Sequence, residues 1–330
     1  MMDFSLGQIL GLLLRTLPFL LLRLAVYLGI TLAYVVATGG GAGIGYLFGK
    51  VAADPGAGSA WGAFIGFGVI SGVLSWAREY LLYLVKAGHI AVLAELLQGK
   101  EIPGGRGQIE HASAVVKERF VESSVLFGVD QLIKGILRVF NRTMLMIANF
   151  LPIPGLDGLV KFANTVINTS LTYVDEVILA HAIRTGSTNA WASARDAVVL
   201  YAQNYKTMLK NAAWLTFVIW ALTLVIFLLV IGPVALIASF FPGLAGFWTF
   251  ALAIVTAICL KAALVDPLAM AALMQVFFKV TEGQTPDPQW SAKLEGMSDK
   301  FKELKDKAGL TPPQTVPGTP AAAPPPPPAL

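Results

Sequence analysis

The chain has 330 residues, 56% hydrophobic and only 13% charged, with a mean hydropathy of +0.69. A soluble domain carries about 25% charged residues, so lipid solvates much of this surface and a fully water-soluble fold is excluded. The net charge of +4 is spread among acids with no basic block, which argues against nucleic acid, and the one cysteine, Cys259, leaves no intramolecular disulfide and no Cys-based zinc site.

Residues 4–22 alternate apolar blocks with Arg15 and end at Arg23, the pattern of an interfacial helix feeding a first span. A secretory signal is not expected, because Asp3 precedes any Arg and the apolar run after Arg23 is too long. Residues 24–49 carry no charge, enough to cross a ~30 Å hydrocarbon core at ~1.5 Å per residue. Gly41, Gly45 and Gly49 recur every four residues, as do Gly39 and Gly43. Lys50 to Gly56 reads as a turn. A second uncharged run, 55–77, contains Gly62, Gly66, Gly68 and Gly72. Small residues four apart let two helix backbones approach closely in lipid, so a packed glycine hairpin is expected. This second helix runs on through Arg78 and Glu79 to about Leu97, with Trp61 marking its outer end and Trp76, Tyr80 and Tyr83 its inner end.

Residues 98–107 form a loop, and a helical pattern follows to Arg142. Val129, Leu132, Ile133, Ile136 and Phe140 share one face, while Lys134, Arg138 and Arg142 recur on another. Two readings stay open: a surface helix contacting anionic lipid headgroups through those three basic residues, or a helix packed on the protein's own cytoplasmic face. Residues 143–156 are uncharged but too short to span, which suggests a re-entrant or interfacial segment; the uncharged part of the next helix (157–184), residues 162–174, poses the same question. Residues 187–189 cap a helix running through Lys210. Two further spans, 213–231 and 247–266, are expected where Gly232-Pro233 and Pro242-Gly243 break a 49-residue uncharged run. The last continues past Asp266-Pro267 toward Lys279. Leu294, Met297, Phe301, Leu304 and Ala308 predict one short amphipathic helix in the tail, and residues 311–330 a solvated Pro-rich segment that tethers or docks a weak partner.

Of 24 basic and 20 acidic side chains, only Lys50 and Asp54 fall outside the stretches expected in, or on the inner side of, a membrane. Lys and Arg are retained on the cytoplasmic side. The expected fold is therefore all-α and polytopic, with about four transmembrane helices and both termini cytoplasmic, in the cell membrane (the inner membrane of a bacterium). The expected parts are 1–97, an interfacial helix and glycine hairpin; 98–211, amphipathic helices; 212–280, a second hairpin; and 281–330, the tail.

Catalytic motifs are absent. There is no P-loop and no GxSxG, and His89, His111 and His181 lack the close spacing of zinc sites and read as surface or cytoplasmic-layer residues. No enzyme activity, cofactor or metal is expected. The best polar cluster is Arg78, Glu79, Lys261 and Asp266, at matched depth near the inner boundary, where charges are costly unless paired. Arg78 with Asp266 and Glu79 with Lys261 are the natural partners, serving as a gate, a polar headgroup site or an anchoring ion-pair network.

Residues 193–204, Ser-Ala-Arg-Asp-Ala-Val-Val-Leu-Tyr-Ala-Gln-Asn, are similar to a Ser-Ala-Lys-Asp/Asn-Ala stretch ahead of the penultimate span in the choline-transporter-like family, and the preceding Lys161-Phe-Ala-Asn164 also resembles sequence of that family. From about residue 60 to 280 the order of elements also resembles the C-terminal half of that family. The resemblance implies a span, a long cytoplasmic segment and two closing spans. The family's N-terminal half has no counterpart here, and no functional residue carries over. Two functional readings follow. One is a passive solute transporter or channel-like homo-oligomer. The other is a non-transporting scaffold or lipid-surface organising protein. Anionic membrane lipids are partners in both.

Overall fold

In hydrocarbon each unpaired backbone N–H or C=O costs several kcal/mol, and a helix satisfies all of its own. The computed structural model describes residues 2–119, 128–129, 131–140, 143, 157–187, 189–240 and 246–310, and every regular element among them is helical. In chain order these are α1 (Leu6–Arg15), α2 (Leu17–Val51), α3 (Pro55–Leu97), α4 (Arg106–Arg119), α5 (131–140), α6 (Asp157–Thr185), α7 (Ala190–Gln203), α8 (Tyr205–Ala238) and α9 (Phe247–Leu260). A π-turn over Lys261–Val265 then leads into α10 (Asp266–Val280), followed by α11 (Pro288–Met297) and α12 (Asp299–Leu310).

Four segments are long and apolar enough to cross a membrane: α2, the Pro55–Ser75 part of α3, α8, and the continuous run Phe247–Val280. The chain is an all-α polytopic membrane protein. Large side chains such as Leu47, Phe48, Phe64, Leu228 and Leu229 are exposed along these segments, as a lipid-solvated surface requires. The fourth segment differs. It is 44% buried, against 11–17% for the others, so it is the one around which the bundle closes.

The α2–α3 hairpin is held by backbone contact. A methyl group on Gly41 would overlap the Gly62 carbonyl, one on Gly45 the Gly58 carbonyl, and one on Gly66 the Ala37 carbonyl. Gly49 lies against Asp54 and Pro55, where the turn closes with Asp54 N–H donating to Gly49 O at 2.9 Å and the Asp54 carboxylate capping Ala57 N at 3.0 Å. Two expected packing glycines do not take part. Gly68 and Gly72 have nothing within 4 Å of a built Cβ, because they lie on a different face of α3 from Gly58, Gly62 and Gly66. Gly58, which the four-residue spacing extends to, does take part.

Several boundaries differ from expectation. The first helix is cut at Thr16, because Pro18 starts a new helix and cannot continue the old one. The helix expected to reach Lys210 ends at Gln203, and Asn204 separates it from α8. That span does not end at Gly232-Pro233: α8 passes through Pro233 to Ala238. A proline this close to a helix end removes a single hydrogen bond, which membrane helices tolerate. The tail helix is two helices broken at Ser298.

Beyond one end of the spans, a body of shorter helices shares one core. Ile9 and Leu13 of α1, Ile90 and Leu93 of α3, Val177 and Ile178 of α6, Val198 of α7, Leu273 and Phe277 of α10, and Phe301 and Leu304 of α12 are buried together. Leu132, Ile133, Ile136, Leu137 and Phe140 of α5 join this core, with Lys134 and Arg138 on the exposed face. The apolar face of α5 is thus spent inside the protein, not in a bilayer. Residues 162–174 are part of the unbroken helix α6, so that stretch does not re-enter as a separate segment. Residues 144–156, Arg142 and the Pro-rich segment 311–330 lie outside the described residues.

Gly62→Leu forces a side chain into the α2 backbone and should lower stability by about 1–3 kcal/mol or more. Gly68→Leu, facing open space, should leave it unchanged. Thermal unfolding in detergent checks both, and equal melting temperatures for the two variants would disprove the packing assignment.

Candidate functional site

Pro267 shapes the site. Its missing N–H and its ring clash with the carbonyl four residues back, and the helix opens into a wider turn in which Asp266 N–H donates to Lys261 O. An i→i+5 turn places residues five apart one above the other. Lys261 Nζ accordingly meets Asp266 Oδ1 at 2.6 Å within one segment. Tyr173 of α6 completes the group. Its hydroxyl donates to Asp266 Oδ1 at 2.6 Å and accepts from Lys261 Nζ at 3.3 Å. Burial, and next the Asp266 carboxylate, raise the Tyr173 phenol well above its usual value, so it remains a donor. Further along the same pair of helices, Arg184 of α6 donates to Phe278 O at 3.1 Å and stacks on the Phe278 ring at 4.7 Å, which fixes α6 beside α10.

Asp266 is engaged by Lys261 and Tyr173, and the side chains of Arg78 and Glu79 lie outside the described residues. Among the described side chains of α3, Lys86 pairs with Glu176 of α6. α2 contributes Arg23, which is only 5% exposed and whose Nε and Nη2 find no hydrogen-bond acceptor. The sequence reading placed Arg23 at the end of an interfacial helix and missed it as a site residue. The available signal was one arginine beginning a charge-free run of 26 residues.

Arg23, Tyr27, Lys86, Tyr173, Glu176 and Asp266 line a cavity of about 90 Å³, together with Val85 and Thr172. Beside it lies a groove of about 630 Å³ between α6, α8 and the α9–π-turn segment, within the usual range for ligand sites. Ile219, Trp220, Leu224, Phe227, Ile254 and Ile258 form its apolar walls, interrupted by Thr223, and Thr169, Thr172, Tyr173 and Lys261 its polar end. Trp220 is 51% and Ile258 54% exposed, so the groove opens sideways where lipid would be. Thr172 and Tyr173 line both spaces. Counted from Phe247 at 1.5 Å per residue, Ile254 lies about 10 Å, Lys261 about 21 Å and Asp266 about 29 Å along the span. On this span the groove lining thus runs from about 10 to about 21 Å into a ~30 Å hydrocarbon layer, and Asp266 of the cavity sits near the far boundary.

Two of the three histidines are buried in the helical body and not on its surface. His89 is fully buried, 2.9 Å from Thr16 Oγ1 and stacked on Phe19, and burial holds it well below its usual pKa. His181 is buried against Phe277 and pulled down to about 4, by burial first and Arg184 second. His111, half-buried, bonds Glu95 at 2.6 Å and ties α4 to α3. Among the described residues no group of three or more His, Cys, Asp or Glu could hold a metal ion.

Fold and site together define a helical membrane protein with a charged cluster at one membrane boundary and a lateral apolar groove leading to it. No protein-family model, no curated protein and no solved structure matches the chain.

Asp266→Asn leaves Lys261 without its carboxylate and should cost roughly 2–3 kcal/mol, less than a fully buried pair because about a quarter of each side chain is exposed. Adding Lys261→Met should recover part of that loss. A double mutant whose melting temperature falls by the sum of the single effects would show that the two residues are not coupled.

Proposed function

We propose that this protein binds membrane amphiphiles from the inner leaflet, as a lipid-surface organising protein with both termini and the helical body in the cytoplasm. The observation that carries this reading is the groove itself. It is open toward lipid and mostly apolar, and apart from Thr223, whose hydroxyl donates to Ile219 O, its polar side chains gather at the end nearer the charged cluster. A conduit for a solute needs polar lining along its whole length. A site for an amphiphile needs this gradient, and lateral opening admits it without crossing the bilayer. The charge asymmetry supports the orientation, since the body carries the Lys and Arg and the opposite turn has only Lys50 and Asp54. The three-sided packing of α6, α8 and the fourth span gives the groove rigid walls.

Two measurements test it. A reporter active only outside the cytoplasm should signal when fused at residue 54 or 238 and stay silent at 107 or 330; signal at 107 would reverse the orientation. In native mass spectrometry after detergent exchange, the wild-type chain should retain one lipid. Leu229→Trp, exposed on the other side of α8 from the groove-lining residues, should retain it too, and Thr223→Trp, which fills the groove, should lose it. Equal lipid loss from all three proteins would reject the reading.

A further inference from the structure

Arg23 is a buried cation whose Nε and Nη2 have no acceptor, and it lines the cavity at the polar end of the groove. The other two cations at this end are taken: Lys86 by Glu176, and Lys261 by Asp266. Glu176 and Asp266 lie close enough to attract Arg23, but Asp266 is held by Lys261 and Tyr173, and Glu176 meets Lys86 through Oε1. Among the described residues at this end, three cations thus face two carboxylates, and one positive charge is left over. An uncompensated charge at this depth is expensive, and a cavity of about 90 Å³ has room for about three waters or one phosphate-sized group.

We infer that the cavity receives a singly charged phosphodiester, the head of an amphiphile whose chain occupies the groove, with Arg23 as its anchoring residue. The inference rests on the lipid-binding reading above and adds the chemistry of the head. A guanidinium presents two parallel N–H donors that match two phosphate oxygens, with the charge strengthening both bonds. Counted over the described side chains, the excess matches one negative charge. A phosphate monoester carries between one and two at neutral pH and would leave the excess buried. A carboxylate has the right charge in water, but burial favours its neutral form, whereas a phosphodiester stays ionised. Thr172 and Tyr173 line both the apolar groove and the Arg23 cavity, so the two spaces adjoin.

The test uses the full chain in detergent with four probes: dioctanoyl phosphatidylglycerol, dioctanoyl phosphatidylcholine, dioctanoylglycerol and dimethyl phosphate. Phosphatidylglycerol should bind most tightly, phosphatidylcholine more weakly because its head has no net charge, and dioctanoylglycerol weakly through the groove alone. Dimethyl phosphate, with no chain, should not compete at equal concentration. Arg23→Gln should raise the Kd for phosphatidylglycerol roughly 10–100-fold, the loss of a charge-assisted bond pair, and leave dioctanoylglycerol binding unchanged. Arg23→Lys, which keeps the charge without the fork, should fall between; it and the wild-type selectivity series decide the matter if Arg23→Gln does not fold. Equal affinity for all three dioctanoyl compounds in wild type would mean that the cavity holds water only, and would overturn the inference while sparing the lipid-binding reading. Dimethyl phosphate competing as well as phosphatidylglycerol would overturn it in favour of a soluble anion. Failure of every dioctanoyl compound to bind would instead reject the lipid-binding reading, and the inference with it.

Discussion

Pro267 is the constraint on which the polar end of this protein depends. An uninterrupted α-helix through residues 261–266 would place Lys261 and Asp266 on different faces, each needing a partner from another helix. The proline cannot donate to the carbonyl four residues back, so the turn widens and the two charges meet within one segment. With Asp266 held in place, Tyr173 has an acceptor and α6 has a fixed position beside the fourth span. The groove and the cavity are the two spaces left on either side of that contact.

Two solvents divide the remaining architecture. In the lipid-facing half no hydrophobic force drives helices together, so the hairpin relies on backbones meeting through Gly41, Gly45, Gly58, Gly62 and Gly66. In the body the ordinary hydrophobic effect operates, and short amphipathic helices bury one face each in a common core. The N-terminus is tied across this divide: Asp3 pairs with Lys210 at 2.6 Å and bonds Asn211 of α8, while Ser5 N–H donates to Gln275 of α10. The fourth segment belongs to both halves. Its first part faces lipid and its second part, from Leu268 to Phe278, is buried in the body. A ligand bound in the groove as proposed would touch an element that reaches the protein's core.

What the sequence by itself determined was the element inventory, since the number and rough position of the spans follow from uncharged length, and helix from the need to satisfy backbone groups in lipid. The four-residue glycine spacing likewise marked the face of α2 that meets α3, because that spacing keeps side chains on one helix face. Only the tertiary structure decided which faces are paired. The amphipathic pattern of α5 is the same whether its apolar side meets a bilayer or a protein core, and the core took it. Gly68 and Gly72 share the spacing motif of Gly62 and Gly66 but not their face toward a neighbour. Lys261 and Asp266 were legible as charges at the right depth, yet their partner depended on a π-turn that residue spacing does not reveal. Arg23 was legible only as the end of a charged stretch. Its burial beside Glu176 and Asp266 arises from the crossing of α2, α3, α6 and the fourth span, a juxtaposition of residues more than 200 positions apart, which no local pattern in the chain encodes.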